Sequence, residues 1–324
     1  MRYFISSFVI MAIGLIAAFF LGGLSAIYIT TLLIVLEISL SFDNAVVNAK
    51  VLETMDPVWQ KRFILFGMPI AVFGMRLVFP LAIVSIVTGM GLMETLQVAM
   101  DQPAKYEAIL KTTESTIFAF GGAFLLMVFL DFFFGDHEVK WVTFVEGSKT
   151  METFSGVANI ELIIAIMVGI GLGHITHDFN VGLAFMYGVL LHSLLGMVDH
   201  FLSSDTVKSG IAGFIYLEVL DASFSFDGVI GAFALTSNIF IIMIGLGVGA
   251  MFVRSITLYF VEHKTLSEFR YLEHGAHYAI GILAIIMLMK ITMHVSEMVT
   301  GTIGIGLISI AFLHSLWENK KANA

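Results

Sequence analysis

Residues 37–47 read EISLSFDNAVV, and residues 221–231 read DASFSFDGVIG. Laid together without a gap, they match an acid (Glu37 with Asp221), a serine (Ser39 with Ser223) and the run Ser41-Phe42-Asp43 with Ser225-Phe226-Asp227. Both copies lie inside apolar runs, where a carboxylate at a helix centre costs about 2.5–3.5 kcal/mol. Acids kept at matching, costly positions mark a repeat that carries chemistry as well as shape.

The pattern extends outward from each copy. A glycine-rich apolar run with one intramembrane arginine follows, Arg76 in the first and Arg254 in the second. A polar linker and another apolar run come next, marked by Phe120-Gly121-Gly122 and by Ile280-Gly281. Two three-span repeats are read, over 24–135 and 209–294. Connecting spans within 159–198 separate them and a final span at 300–317 follows, so that 1–324 forms one integral membrane domain.

Composition sets the class. Of 324 residues 58% are apolar and 13% charged, about half the ~25% charged share of a soluble domain, and the mean hydropathy is +0.96. Apolar runs at 3–22, 24–49, 62–88, 115–135, 159–173, 179–198, 209–235, 238–261, 275–294 and 300–317 are mostly long enough to cross a hydrocarbon core of ~30 Å. The expected fold is an all-α, polytopic transmembrane helical bundle of nine or ten spans. A cleaved signal peptide is the alternative for the opening run, but its ~18 apolar residues exceed the 7–15 of a secretory core. The second and seventh spans enter the membrane from opposite sides, so the repeats are inverted, a construction that places transporter sites at the repeat interface.

Charge adds orientation and exclusions. With the N-terminus inside, eleven Lys and Arg fall in inner segments (Arg2, Lys50, Lys61, Arg62, Lys140, Lys149, Lys208, Lys264, Arg270, Lys320, Lys321) and three in outer ones (Lys105, Lys111, Lys290). Both termini are therefore expected in the cytoplasm, with the chain in a bacterial-type inner membrane. A net charge of −9 argues against a nucleic-acid partner. Zero cysteines exclude disulfides and thiolate metal sites. The linkers leave no room for a soluble catalytic domain, so no enzyme activity is expected.

The intramembrane acids Glu37, Asp43, Glu218, Asp221 and Asp227, with Asn44 and Asn48, form a hard, anionic oxygen set suited to Mn²⁺, Ca²⁺ or Mg²⁺. Asp43 and Asp227 are the first candidate ligands, expected to face each other from antiparallel helices; Glu37, Asn44, Glu218 and Asp221 complete or protonate the site. Arg76 and Arg254 balance its charge; in a purely structural reading they pair with the acids to hold the bundle together. At 100° per residue, Glu37, Ser41, Asn44 and Asn48 share a face within about 60°, while Asp43 stands about 120° from Glu37. Either two faces are used or the helices unwind near Ser-Phe-Asp. Gly228 and Gly231 favour a break in the second copy, whereas the first has no Gly or Pro between 37 and 49.

At these residues the sequence resembles the TerC family of tellurium-resistance-associated membrane proteins, grouped with LysE-type exporters. Glu37, Asp43, Asn44 and Ala45 fit its E-x5-DN-A pattern, and Glu218, Asp221, Phe224 and Asp227 its E-x2-D-x2-F-x2-D pattern. Residues 271–278, YLEHGAHY, also look like the family, and the likeness runs from about 24 to 317. Gly228 stands where relatives carry Ser, which removes one hydroxyl ligand; the pair SFDN and SFDG resembles an uncharacterised-domain branch. The resemblance implies metal-ion homeostasis, chiefly Mn²⁺ export, with no tightly bound cofactor. It does not imply tellurite transport, since an acidic site repels an anion.

The remaining features have plainer readings. His174 and His177 beside Asp178, and His192 with Asp199 and His200, sit near span ends, where His is common at the interface. His274 and His277, opening a span beside Glu273, suit an entry site or proton relay. Asp131 reads as an interfacial acid, and the 19 Met and 30 Phe as packing and lipid-facing residues. The runs Gly169-Ile170-Gly171-Leu172-Gly173 and Gly245-Leu246-Gly247-Val248-Gly249 allow close helix approach and lack the strand of a nucleotide loop. The expectation is a divalent-cation exporter, with metal ion and lipid as partners, proton coupling as a further expectation and oligomeric state left open. A non-transporting scaffold for metal homeostasis or metal loading is the rival. An intramembrane aspartyl protease fits poorly, because Ser225-Phe226-Asp227-Gly228 and Pro80-Leu81-Ala82 stand where Gly-x-Gly-Asp and Pro-Ala-Leu are required.

Overall fold

Leucine, isoleucine and phenylalanine runs that leave no polar stripe can satisfy their backbone in lipid only as helices. The computed structural model describes residues 2–67, 70–135, 139–148, 153–202, 210–233, 235–236, 238–263, 268–295 and 297–322. Helices account for nearly all of them, and none of the described residues forms a strand. In order they are α1 (Ile5–Leu40), α2 (Phe42–Thr54), α3 (Pro57–Arg62), two π-helical stretches (Phe63–Gly67, Ile70–Val78), α4 (Phe79–Thr88), α5 (Leu92–Asp101) and α6 (Pro103–Phe134). Then come α7 (Thr143–Glu146), α8 (Ile160–Thr176), α9 (Phe179–Leu202), α10 (Gly210–Phe233), α11 (Ile239–His263), α12 (Leu272–Lys290) and α13 (Glu297–Ala322). Among the described residues, five helices are long and apolar enough to cross a membrane: α1, α6, α9 over Phe179–Met197, α11 and α12. The chain is an all-α, polytopic helical bundle suited to a lipid bilayer.

α1 is two antiparallel passes. Gly23 has φ +66° and ψ −151°, a region that essentially only glycine occupies. Before this turn, the Ser255 hydroxyl donates to the Tyr3 carbonyl at 2.8 Å and the Ser7 hydroxyl donates to the Met251 carbonyl at 2.9 Å. Gly14 lies against Ile244 and Val248. After the turn, Leu33 packs on Gly245 and Glu37 on Gly249. Partner numbers along α11 fall through the first half and rise through the second, so residues 5–21 and 24–40 run in opposite directions over the same helix.

The first motif copy contains a break and the second does not, the reverse of the glycine-based expectation. α1 ends at Leu40, Ser41 takes φ −108° and ψ 15°, and α2 starts at Phe42. The Ser41 hydroxyl donates to Glu37 Oε1 at 2.9 Å, a local bond that competes with helical geometry. α10 runs unbroken through Ser225 and Gly228. Its glycine serves close approach: a Cβ at Gly228 would stand 3.1 Å from Glu37 Oε2.

α6 and α12, the third helices of the two repeats, pack antiparallel through reciprocal contacts. A Cβ at Gly122 would lie 3.0 Å from Leu288, and one at Gly281 would lie 2.6 Å from Phe129. Such exchange of equivalent contacts is what a local two-fold axis requires.

Candidate functional site

The two motif helices cross antiparallel. Asn44 Nδ2 donates to Asp221 Oδ1 at 2.7 Å, and Glu37 lies opposite Gly228. Both contacts join the same two motif positions, 37 and 44 in one copy and 221 and 228 in the other, with the roles exchanged.

At this crossing Arg76, from the second π-helical stretch, is wedged between the copies. Its Nη2 bonds Glu37 Oε1 and its Nη1 lies 3.4 Å from Asp221 Oδ2. The Glu37 and Arg76 side chains are each 1% exposed. Charges removed from water so completely must be paired, and here one guanidinium serves an acid from each repeat. Gly249 makes room for it: a Cβ there would be 2.5 Å from Glu37 Cβ and 3.1 Å from the Ile34 carbonyl oxygen.

Beside the pair lies an internal cavity of about 40 Å³, lined by Asn48, Arg76, Glu218, Asp221, Arg254 and Thr257 among others. That volume takes one or two water-sized groups. Both carboxylate oxygens of Glu218 are buried and make no hydrogen bond among the described residues, as is true of Asn44 Oδ1 and Asn48 Oδ1. These acceptors without donors are the chemically open part of the site. They suit a cation, because buried acceptors left unmatched cost energy that a positive ligand recovers.

Of the expected ligands, the structure brings together Glu37, Asn44 and Asp221 around Arg76, with Glu218, Asn48 and Arg254 along the adjoining cavity. It does not add Asp43, which is buried but turned toward α13, where a Cβ at Gly304 would lie 3.8 Å from its Oδ2. Asp43 therefore does not face the second motif, and the break at Ser41 does not bring it round to the face of Glu37. The side chain of Asp227 lies outside the described residues, as do those of Asp199 and His200. Among the described residues, no group of three or more His, Asp or Glu is arranged to hold a metal, since a guanidinium occupies the point where Glu37 and Asp221 converge.

The histidines have local partners. His192 Nε2 lies 3.5 Å from Asp131 Oδ2. His277 stacks on Phe132 with ring centroids 3.8 Å apart and places Nδ1 2.9 Å from the Glu273 carbonyl oxygen. His274 Nε2 lies 3.8 Å from Glu146 Oε2. Glu146 belongs to a latch that sequence reasoning missed. It accepts from the Trp141 amide at 2.8 Å and from the Tyr278 hydroxyl at 2.7 Å, while Trp141 Nε1 donates to His314 Nδ1 at 3.0 Å. The segment 139–148 is thereby tied across α12 and α13. Its sequence, VKWVTFVEGS, mixes apolar and polar residues with no helical or strand period that would place it. The cavity residues Phe63, Gly67 and Thr257 were missed as well, being apolar or neutral positions that nothing in the motif singles out.

No curated protein and no solved structure matches the chain. The family model that does match is not that of TerC, which corrects the membership suggested by the resemblance; the acidic patterns in the two motifs are therefore not diagnostic of that family. The match covers residues 42–322 and so includes the second copy entire, the first from Phe42 onward and both arginines. By that match the chain belongs to the family described as protein of unknown function (DUF475).

Proposed function

We propose that the chain moves a hard divalent cation across the membrane, with Glu37, Asp221 and Glu218 as principal ligands. The observation that carries this reading is Arg76 bridging an acid from each repeat beside an unmatched glutamate. An ion entering the cavity finds Glu218 and the Asn48 oxygen first. It then competes with Arg76 for Glu37 and Asp221, and displacement of the arginine couples occupancy to movement of one repeat against the other. Oxygen ligands without thiolates favour Mn²⁺, Ca²⁺ or Mg²⁺. The preference for Mn²⁺ within that class came with the TerC resemblance and lapses with it.

The direction follows from the cavity's position. Its lining includes Asn48 near the end of the apolar run 24–49, Phe63 and Gly67 at the start of the next span, and Thr257 in the last third of α11. These are the ends that the lysine and arginine distribution assigns to the cytoplasm, with both termini on that side. Glu218 has Ile34 as its counterpart in the first repeat, so capture is acidic on the inner side and apolar on the outer one, as export requires. Protonation of the vacated carboxylates would link ion release to a proton gradient.

Reconstituted vesicles loaded with indicator test the reading. Uptake of Mn²⁺, Ca²⁺ or Mg²⁺ is expected for the natural chain, with loss in Asp221→Asn and in Glu218→Gln and a rate that responds to an imposed proton gradient. No flux of any of the three ions would overturn transport in favour of a scaffold. Flux indifferent to the gradient would remove the proton coupling.

A further inference from the structure

We propose that Arg254 is a positioning residue that replaces Arg76 on the Glu37 and Asp221 pair in a second conformation of the bundle, as the helix break passes from Ser41 to Ser225. The inference rests on the two-state transport reading and specifies what exchanges between the states.

Three observations lead there. First, the crossing has two-fold character, since Asn44 meets Asp221 while Gly228 meets Glu37. Second, the arginines stand at matching places in the spans that follow the two motifs, and both line one cavity with Glu218 and Asp221. The register that superposes Arg76 on Arg254 also superposes Gly67 on Gly245. Gly67 faces Glu218 in one half, and Gly245 packs on Leu33, beside the Glu218 counterpart Ile34, in the other.

Third, the matching halves differ in shape. The first repeat is broken at Ser41 and π-helical through Arg76, whereas α10 and α11 are regular through Ser225 and Arg254. Isolated π-helical turns are rare and gather at functional sites. Two related sequences held in different shapes about a two-fold axis imply a partner state in which the shapes are exchanged. There, α1 and α2 run straight through Ser41 and α10 breaks at Ser225, where Gly228 and Gly231 make bending cheap. Arg254 then stands between Asp221 and Glu37, where Arg76 now stands. The inner cavity around Asn48, Gly67 and Glu218 closes, and its equivalent around Ala232, Gly245 and Ile34 opens on the other side.

The chain has no cysteine, so introduced pairs report alone. Spin labels at Val58 and Ile215, on the neighbouring α3 and α10, read the inner side; labels at Tyr28 and Phe240, paired by the register of α1 on α11, read the outer side. All four positions are exposed. Distances would be measured by electron double resonance on the full chain in lipid nanodiscs. Two populations are expected, the inner distance shortening as the outer lengthens. Arg76→Gln is expected to enrich the outer-open population at least tenfold, and Arg254→Gln to enrich the inner-open one by as much. Shifts of the same sign in both variants, or no shift in either, would overturn the exchange. Should those variants fail to fold, Ser225→Pro, which removes a helical donor at the proposed break, must enrich the outer-open state; no shift there overturns the exchange too. Populations that exchange in a protein without ion flux leave this inference standing and defeat the transport reading. Flux without exchange does the opposite.

Discussion

Asn44 and Asp221 are joined by a 2.7 Å hydrogen bond between two helices that carry the same motif in opposite directions. The acceptor is a carboxylate that also lies beside Arg76, so the bond is charge-assisted and fixes how that carboxylate faces the guanidinium. A double-mutant cycle of Asn44→Ala and Asp221→Ala, read by unfolding in mild detergent, is expected to return a coupling of about 1.5–3 kcal/mol. A coupling near zero would mean that the crossing is held by apolar packing alone.

Glu37 is too deeply buried to lose its counter-ion. Arg76→Met combined with Arg254→Met removes the arginine that pairs with it and the one proposed to replace it, and is expected to cost about 3–5 kcal/mol. Adding Glu37→Gln should recover more than half of that loss in the same unfolding measurement, because the penalty lies in the stranded charge.

Gly249 is there for space. Gly249→Ala places a methyl 2.5 Å from Glu37 Cβ with the Ile34 backbone behind it, an overpacking expected to cost about 1–3 kcal/mol. Gly171→Ala, with nothing among the described residues within 4 Å of the added carbon, serves as contrast. It should be neutral or stabilise by up to about 1 kcal/mol through helix propensity.

The turn inside α1 depends on backbone freedom. A Cβ at Gly23 meets nothing within 4 Å among the described residues, so Gly23→Ala is expected to introduce no clash. Its cost, about 1–3 kcal/mol, would come wholly from φ +66° and ψ −151°. An unchanged unfolding midpoint would show that the two passes can be joined by another backbone path.

Glu146 holds the 139–148 latch through Tyr278 and through its own Trp141 amide. Glu146→Ala is expected to raise amide hydrogen exchange across this segment at least tenfold, and Tyr278→Phe to raise it by less. Amides in α6 should be unaffected in both variants.

Much of this was legible from residue order. The apolar runs and both motif segments mapped onto helices, and Glu37, Asn44, Asp221 and Arg76 onto one crossing, because in lipid a polar residue has few places to go. What misled was the treatment of glycine as a hinge. Gly228 lies in a straight helix because the Glu37 carboxylate needs the room, and the chain bends at Ser41, whose hydroxyl is satisfied by that same glutamate. Asp43 was favoured because the repeat preserves it, yet the helical offset from Glu37 already separated the two faces. The latch could not be read, since the bonds that tie it to α12 and α13 join residues more than a hundred positions apart whose local sequence is unpatterned. The acidic motifs point to TerC, whereas the family model that matches over 42–322 is a different one: a few acids at helical spacing record what a membrane helix buries and do not by themselves fix a family.

Arg76 also bears on how the protein is made. Small metal-dependent domains stay unfolded until their ion arrives, because their ligands have no other partner. Here the convergent carboxylates are satisfied by a group that the polypeptide itself supplies. On the proposed cation reading, biogenesis is expected to be uncoupled from ion supply: a newly inserted chain should reach its packed form in a metal-starved cell, and chelators should leave it intact.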